Sequence, residues 1–533
     1  MDTDDPVGMQ PKGYLEGGVN TAVFVPLQRD LARVSAGIEH RTTVKPELPI
    51  TERTPMQGEP SFMSAEQFRQ AAYRHADWIS HYLEHVRNFS VTTDALPGAL
   101  TASLPRTAPE EGCPIEEIFA DFESSIFPAL TLWNHPRFFA WFSVSSTPPS
   151  ILAEFLTAAL NVNAMLWKSA PAATELEQVT LNWLREWLLL DEKFFGIIYD
   201  TASVGVMQAI AAAREWIDPS CRVKGMRRDL TLYISEHTHS SSEKAAILLG
   251  FGQENVRKIP VDSQFRMRPD LLIEVIEADL ARGKRPCCIV ASVGSTSTTA
   301  IDPIPEIAGI AERYNTWLHV DAAYGGSAAV VPEMRHVLNG AERAHSVIVN
   351  PHKWLYVSID CSVLYTRYPE ILRQSSSLSA EYLRTAEDDR VVNYMDYGVQ
   401  LGRRFRALKL WYVFRYYGRQ GIISMLRESI RLAQLLKTLV EGDKSFELSA
   451  PVPFSLVCFR HRSGNAFNQR LLAEINATAE AFLSHTVLNG AFVLRFAIGN
   501  FQTTEQDVRD TWSLIQKTAR QLLVAEPAIA PGG

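Results

Sequence analysis

Between Phe194 and Val349 the chain alternates short apolar runs with helical stretches, and this alternation restricts the fold more than any other feature. Phe194–Tyr199, Leu230–Ile234, Pro286–Val293, Trp317–Val320 and Ser346–Val349 read as strands, with helical stretches at Val206–Trp216, Ser242–Leu249 and Pro305–Tyr314. Strands that alternate with helices pair in parallel, with the helices covering both faces of the sheet. An α/β fold is expected. From about residue 411 the pattern changes. Helical Gly421–Leu439 and Asn468–Leu483 flank strand candidates Phe454–Arg460 and Phe492–Ile498, which predicts a smaller α+β domain. The 533 residues are 46% hydrophobic, enough for two cores of this kind.

Residues 1–60 are rich in Pro, Gly, Thr and charge and lack a sustained period, as expected of a loosely ordered extension. Regular structure is expected to start at Ser64-Ala65-Glu66-Gln67, an S-x-x-Q capping box with Met63 and Phe68 placed as a hydrophobic staple. Phe68, Ala72, Ile79, Tyr82, Leu83 and Val86 give one long helix an apolar face. The predicted divisions are 1–60, a helical segment 61–147, a large domain 148–410 and a small domain 411–533.

A formal charge of −8 argues against general nucleic-acid binding. No apolar run is long enough to span a bilayer, and the acidic start Met1-Asp2-Thr3-Asp4-Asp5 is unlike a signal peptide, so no membrane association and a cytoplasmic location are expected. The six cysteines are scattered and read as thiols of a reducing compartment. Without a secretion signal, the sequons at Asn88 and Asn476 are read as chance matches.

The chemistry concentrates where strands end. Asn350-Pro351-His352-Lys353-Trp354 follows one strand, and Asp321 closes another in Trp317-Leu318-His319-Val320-Asp321-Ala322-Ala323-Tyr324. A lysine past one strand and an aspartate at the end of another suit pyridoxal phosphate (PLP). The amine forms a Schiff base with the cofactor aldehyde, and the carboxylate keeps the pyridine nitrogen protonated. Lysines at strand ends are usually solvated flanks, but these neighbours point elsewhere. Asn350 and His352 can reach a phosphate, Trp354 can pack under the ring, and Ala323 is small enough for a flat ring to lie against it. Asp200-Thr201-Ala202-Ser203-Val204-Gly205, between a strand and a helix, offers an anion site of backbone N–H groups, although it lacks any P-loop or dinucleotide glycine pattern. In His237-Thr238-His239-Ser240-Ser241 no third ligand has metal-site spacing, so a stacking role for His239 is the better reading. Thr296, in the hydroxyl-rich turn Gly294-Ser295-Thr296-Ser297-Thr298-Thr299, can bond to a cofactor or a carboxylate.

Together with His135-Pro136-Arg137-Phe138-Phe139-Ala140-Trp141-Phe142, Pro171-Ala172-Ala173-Thr174-Glu175-Leu176-Glu177 and Leu401-Gly402-Arg403-Arg404-Phe405-Arg406, these segments resemble the group II PLP-dependent amino acid decarboxylases. The nearest likeness is the aromatic-L-amino-acid decarboxylases, over about residues 61–525. The resemblance implies a fold-type I, aspartate-aminotransferase-like homodimer with a mostly parallel seven-stranded sheet, active sites at the subunit interface, and an N-terminal helix packed on the partner. It implies that Lys353 carries the cofactor, Asp321 pairs with the ring nitrogen and His239 stacks on the ring. Thr296 and Ala323 would be cofactor neighbours, while Ala202, Ser203, Asn350 and His352 would lie about the phosphate. Tyr382 matches a loop tyrosine that, alone or with His239, returns a proton to the substrate carbon after carbon dioxide leaves. Family members with phenylalanine there tend toward oxidative aldehyde synthesis.

Trp133, Trp141, Phe142, Val144, Met165 and Gly402 match positions about the substrate. Glycine at the position of Gly402 accompanies indolic substrates in plant relatives and serine phenolic ones, although animal dopa decarboxylases also have glycine. The chain departs from the family at Ser143 (usually proline), Val144 (threonine), Asn163 (apolar), Met165 (phenylalanine), Asp200 (glycine) and Val204 (glutamate). The implied activity is decarboxylation of an aromatic L-amino acid to its amine, tryptophan ahead of dopa, tyrosine and phenylalanine. The alternatives are an aromatic acetaldehyde synthase or a decarboxylase of a non-aromatic amino acid. A cofactor-free scaffold would have no use for this constellation.

Overall fold

The structure is a computed structural model that describes residues 62–378, 385–388 and 390–525. Two sheets organise it. The larger has seven strands: β1 Phe195–Tyr199, β2 Leu230–Ser235, β3 Val256–Ile259, β4 Arg285–Ser292, β5 Trp317–Asp321, β6 Ser346–Val349 and β7 Ser362–Thr366. Their order is β1-β7-β6-β5-β4-β2-β3. From β3 through β2, β4 and β5 to β6 all pairs are parallel, while β7 runs antiparallel to both β6 and β1. The expected mostly parallel sheet is present. β2, β6 and β7 are buried at every residue, as the unbroken apolar runs require of a sheet covered on both faces.

Two of the flanking helices matter most to the site. Pro171–Trp187 packs behind β1, and Ala202–Ile217 crosses the sheet directly after it. The second can lie close to the strands because residue 205 is glycine. A Cβ there would sit 2.4 Å from Ile348 Cδ1 on β6.

The smaller sheet is antiparallel, ordered β10-β11-β9-β8, with β8 Phe446–Leu448, β9 Leu456–His461, β10 Ser484–Leu488 and β11 Ala491–Ala497. Helices Asn465–Ala477 and Glu505–Ala525 cover it. The helix expected over Asn468–Leu483 is therefore shorter at its C-terminal end. Thr478 ends it, Ala479 turns left-handed at φ 56°, and Ser484 already belongs to β10. The expected Gly421–Leu439 helix is part of Ala407–Glu441, broken at Gly418 (φ 60°, ψ 176°), and position 411 falls inside it.

Among the described residues, those up to Ala72 belong to one unit and those from Tyr73 onward to the other. In the first, the capping box is made. Ser64 N–H donates to Gln67 Oε1 (2.8 Å) and Gln67 N–H to Ser64 Oγ (3.2 Å), opening the helix Ala65–His85. In the second, Trp78 meets the rings of Phe122 (5.2 Å) and Phe127 (5.1 Å). Trp78 is not part of the apolar face expected from the sequence. Among the described residues, no helix is long and apolar enough to cross a membrane.

Candidate active site

The register of the large sheet assembles the site. Ser292 on β4 pairs with Asp321 on β5, and Asp321 with Ile348 on β6. The next link, Asn350 N–H to Ala323 O (3.1 Å), draws the chain leaving β6 against the chain leaving β5. The C-terminal ends of parallel strands thereby open into a cavity of about 180 Å³, where open α/β sheets place their ligands. Lys353 enters from the short helix Pro351–Trp354.

One end of the cavity is built for an anion. Ala202 and Ser203 lie at the start of the 16-residue helix Ala202–Ile217, and the N-cap residue Thr201 makes no side-chain capping bond. The first backbone N–H groups of a helix have no partner within it, and here no side-chain cap takes their place. Asp200, in place of the family's glycine, is turned to other partners. Its Oδ1 accepts from Thr201 N–H (2.6 Å) and its Oδ2 from Gln400 Nε2 (3.0 Å). Asn350 and His352 complete this end. Their side chains meet at 3.3 Å, the Asn350 amide also bonds Ser362 Oγ (2.6 Å), and Cys361 N–H donates to His352 Nδ1 (2.9 Å). Burial and the neighbouring Lys353 push His352 down to about 3, so its ring is neutral near pH 7.

The rest suits a flat ring. Asp321 also lines the cavity, its Oδ1 fixed by Ala323 N–H at 3.1 Å. Ala323 supplies a small surface, and His239 lies on the lining with them. Ser241 N–H donates to His239 Nδ1 (3.2 Å), so the neutral ring carries its proton on Nε2. Burial lowers the pKa of His239, with Asp321 opposing. Burial likewise depresses the Lys353 ammonium, again against Asp321, favouring the free amine that attacks a carbonyl. Lys353 Nζ lies 5.3 Å from the centre of the Phe142 ring. Phe142 stacks on Tyr324 at 3.9 Å, and Tyr324 on Trp354 at 4.8 Å. Trp354 thus packs under Tyr324 rather than under a ring in the cavity.

Ala202, Ser203, His239, Thr296, Asp321, Ala323, Asn350, His352, Lys353 and Phe142 all meet in this one cavity. Trp133, Trp141, Val144, Met165 and Gly402 are not in its lining. Trp133 and Trp141 stack on each other at 5.1 Å and are 40% and 49% exposed. Asn163 Nδ2 bonds Met165 Sδ (3.4 Å), and its Oδ1 accepts from Arg403 N–H (2.9 Å), next to Gly402. Tyr382 lies outside the described residues. Sequence reading gives no role to Ser292 and Tyr324, which line the cavity, or to Arg495, which lies behind its wall. Arg495 has a signal, a lone charge in the apolar strand Phe492–Ile498.

An anion-binding helix start, a carboxylate, a flat wall and a buried lysine in one cavity are what a phosphorylated pyridine aldehyde requires. Residues 97–462 match the pyridoxal-dependent decarboxylase conserved domain. The chain belongs to that family. It is similar to tryptophan decarboxylase 2 of Oryza sativa subsp. japonica, 38% identical over 86% of this chain and 96% of the relative. It is also similar to a phenylacetaldehyde synthase of a Rosa hybrid cultivar, 36% identical over 86% and 95%. The crystal structure of Oryza sativa TDC with PLP and tryptamine superposes with a TM-score of 0.84 at 35% identity, covering 87% of this chain and all of that one. The chain is accordingly a PLP-dependent enzyme of the decarboxylase family. When bound, PLP draws electrons from the breaking Cα–carboxylate bond into its ring.

Proposed function

We propose that the chain decarboxylates an aromatic L-amino acid, tryptophan before dopa, tyrosine and phenylalanine, releasing the amine and carbon dioxide. The observation that carries this reading is Phe142, an aromatic wall of the cavity 5.3 Å from Lys353 Nζ. Lys353 would hold the cofactor through its side-chain amine and give it up to the substrate amine. Asp321 holds the proton on the ring nitrogen, and His239 covers the ring face. Ala202, Ser203, Asn350 and His352 bind the phosphate, with Thr296 and Ala323 beside the ring. Tyr382 returns a proton to the substrate Cα.

A second copy of the chain completes the substrate pocket in this reading. Asn163, Met165 and Gly402 are outside their own chain's cavity and take up the role of a wall for the neighbour's. Supporting this, helix Pro148–Leu160 leaves Leu152 and Leu160 each 60% exposed, and Leu401 is also exposed. Such an apolar face in a chain of this size fits an obligate interface. The six unpaired cysteines, five of them buried, agree with a cytoplasmic setting.

A panel of tryptophan, dopa, tyrosine, phenylalanine and glutamate tests the assignment. Equal amine and carbon dioxide from an aromatic member, without oxygen uptake, is the expected result. Turnover of glutamate alone would defeat the aromatic reading. Oxygen consumption with peroxide would favour the aldehyde synthase reading, to which the resemblance to the Rosa enzyme gives weight.

A further inference from the structure

Arg495 on β11 is 3% exposed, yet among the described residues no carboxylate pairs with it. Its guanidinium is satisfied by neutral oxygens. Nη2 donates to Thr296 O (2.8 Å) and, more weakly, to Trp141 O (3.5 Å); Nε donates to Ser297 O (3.1 Å); and Nη1 donates to Ser484 Oγ (2.9 Å). Ser484 Oγ also accepts from Trp141 N–H (3.0 Å), closing a small network. The guanidinium carbon lies 5.4 Å from the centre of the Phe142 ring, the same ring that Lys353 approaches. Burial lowers the Arg495 pKa, a measure of the cost of holding this cation without a counter-charge.

Both structures that it ties down are strained. Trp141 is left-handed at φ 47°, an unusual state for a bulky residue. The turn from Gly294 to Thr299 begins and ends left-handed, at φ 86° and 60°. It closes on itself through Ser295 N–H to Ala300 O (3.0 Å) and Thr299 N–H to Ser295 O (2.8 Å). The carbonyls of Thr296 and Ser297 are left for Arg495 and for the Cys458 thiol, which reaches Ser297 O at 3.5 Å. Thr296 and Phe142 both line the cavity, from different parts of the chain. Arg495 is the one side chain in these contacts that touches both supports. The guanidinium spreads five donors over three nitrogens in a rigid plane, so a lysine, with three donors on a single nitrogen, keeps the charge but not the reach to all four acceptors.

We propose that Arg495 is a positioning residue for decarboxylation, locking the Thr296 turn to the Trp141–Phe142 wall so that the two sides of the cofactor cavity keep one spacing. This rests on the assignment of the cavity to PLP and is independent of which amino acid is the substrate.

The test compares holoenzyme of Arg495→Lys and Arg495→Met with the parent. The readouts are cofactor content, melting temperature, visible circular dichroism of the bound cofactor, and kcat and KM on the best substrate of the panel. Both variants are expected to bind cofactor with an altered visible dichroism. Displacing reacting groups by a fraction of an ångström should lower kcat per bound cofactor roughly 10- to 100-fold while KM stays within about threefold. Ser484→Ala, a milder cut in the same network, should lower kcat by only a few-fold. The dichroism needs no substrate, so a wrong substrate assignment would leave it informative. Parental dichroism with kcat within about twofold of the parent would overturn the proposal. So would a loss of activity explained wholly by lost cofactor. If neither Arg495 variant folds, Ser484→Ala decides: a changed dichroism with reduced kcat supports the proposal, and parental values overturn it.

Discussion

At the scale of single residues, Lys353 and Asp321 carry the strongest expectations. Lys353→Ala should abolish the absorbance of lysine-bound cofactor and all turnover. Asp321→Asn should still fold and bind cofactor but lose roughly 10²-fold or more in kcat, because the charge opposite the ring nitrogen is gone. Gly402→Ser tests substrate choice cleanly. A Cβ at Gly402 would meet nothing nearer than Asn163 Nδ2 at 3.9 Å, so the variant should melt with the parent while its preference moves from indolic toward phenolic substrates. Much of the site is legible in the sequence because its polar residues stand at the ends of apolar strands, where a buried polar group needs a partner. Arg495 cannot be placed in the same way. Three of its four acceptors are main-chain carbonyls, at 141, 296 and 297, and a carbonyl has no identity in a sequence.

Among elements, the helix Ala202–Ile217 couples fold to site, since its start lines the cavity and Gly205 sets its height above β6. Gly205→Ala should lift that start and weaken cofactor affinity. The obstructing atom is the far end of Ile348, so Ile348→Val, which removes Cδ1, should recover much of the loss in the double variant. Equilibrium titration of the apoenzyme with PLP measures both. The central parallel strands are legible as unbroken apolar runs. β3, Val-Arg-Lys-Ile, carries no such signature and escapes a reading by pattern, whereas β7 has an apolar run, Val363-Leu364-Tyr365, that is short and follows polar Ser358 and Asp360. The helix over Ala407–Glu441 reads as starting late because Gly418 and Gly421 interrupt its period.

For the whole molecule, buried histidines set an acid limit. Burial holds His135, His319 and His345 down to about 4, and none of them lines the cavity. Their usual value is near 6.5, so between pH 6.5 and 4 the unfolded chain takes up protons that the native chain refuses, and stability falls as pH falls. Asp302 acts in the opposite sense. Burial raises it to about 6, so the native state retains a proton there that the unfolded chain gives up. With His352, held lower still, the balance near pH 5 is an uptake of about three protons on unfolding, or up to about 4 kcal/mol lost per pH unit. Chemical denaturation from pH 7 to 5 measures this slope, and a flat profile would contradict the assigned burial. The small antiparallel sheet of the C-terminal part is visible in the sequence as a change of pattern. The exposed apolar face of helix Pro148–Leu160 is not, because exposed and core leucines look alike in a sequence.

The strand order has a consequence in time. β1 leads into the helix start that lines the cavity, yet among the described residues its one neighbour in the sheet is β7, which is synthesised long after it. At ribosomal rates the interval is on the order of ten to thirty seconds. Throughout it, an apolar strand meant for burial waits unpaired on the nascent chain, and no cavity exists to receive a cofactor. Chains interrupted before Ser362 should therefore neither retain PLP nor stay dispersed, and the dependence of this protein on chaperones should be greatest during that wait.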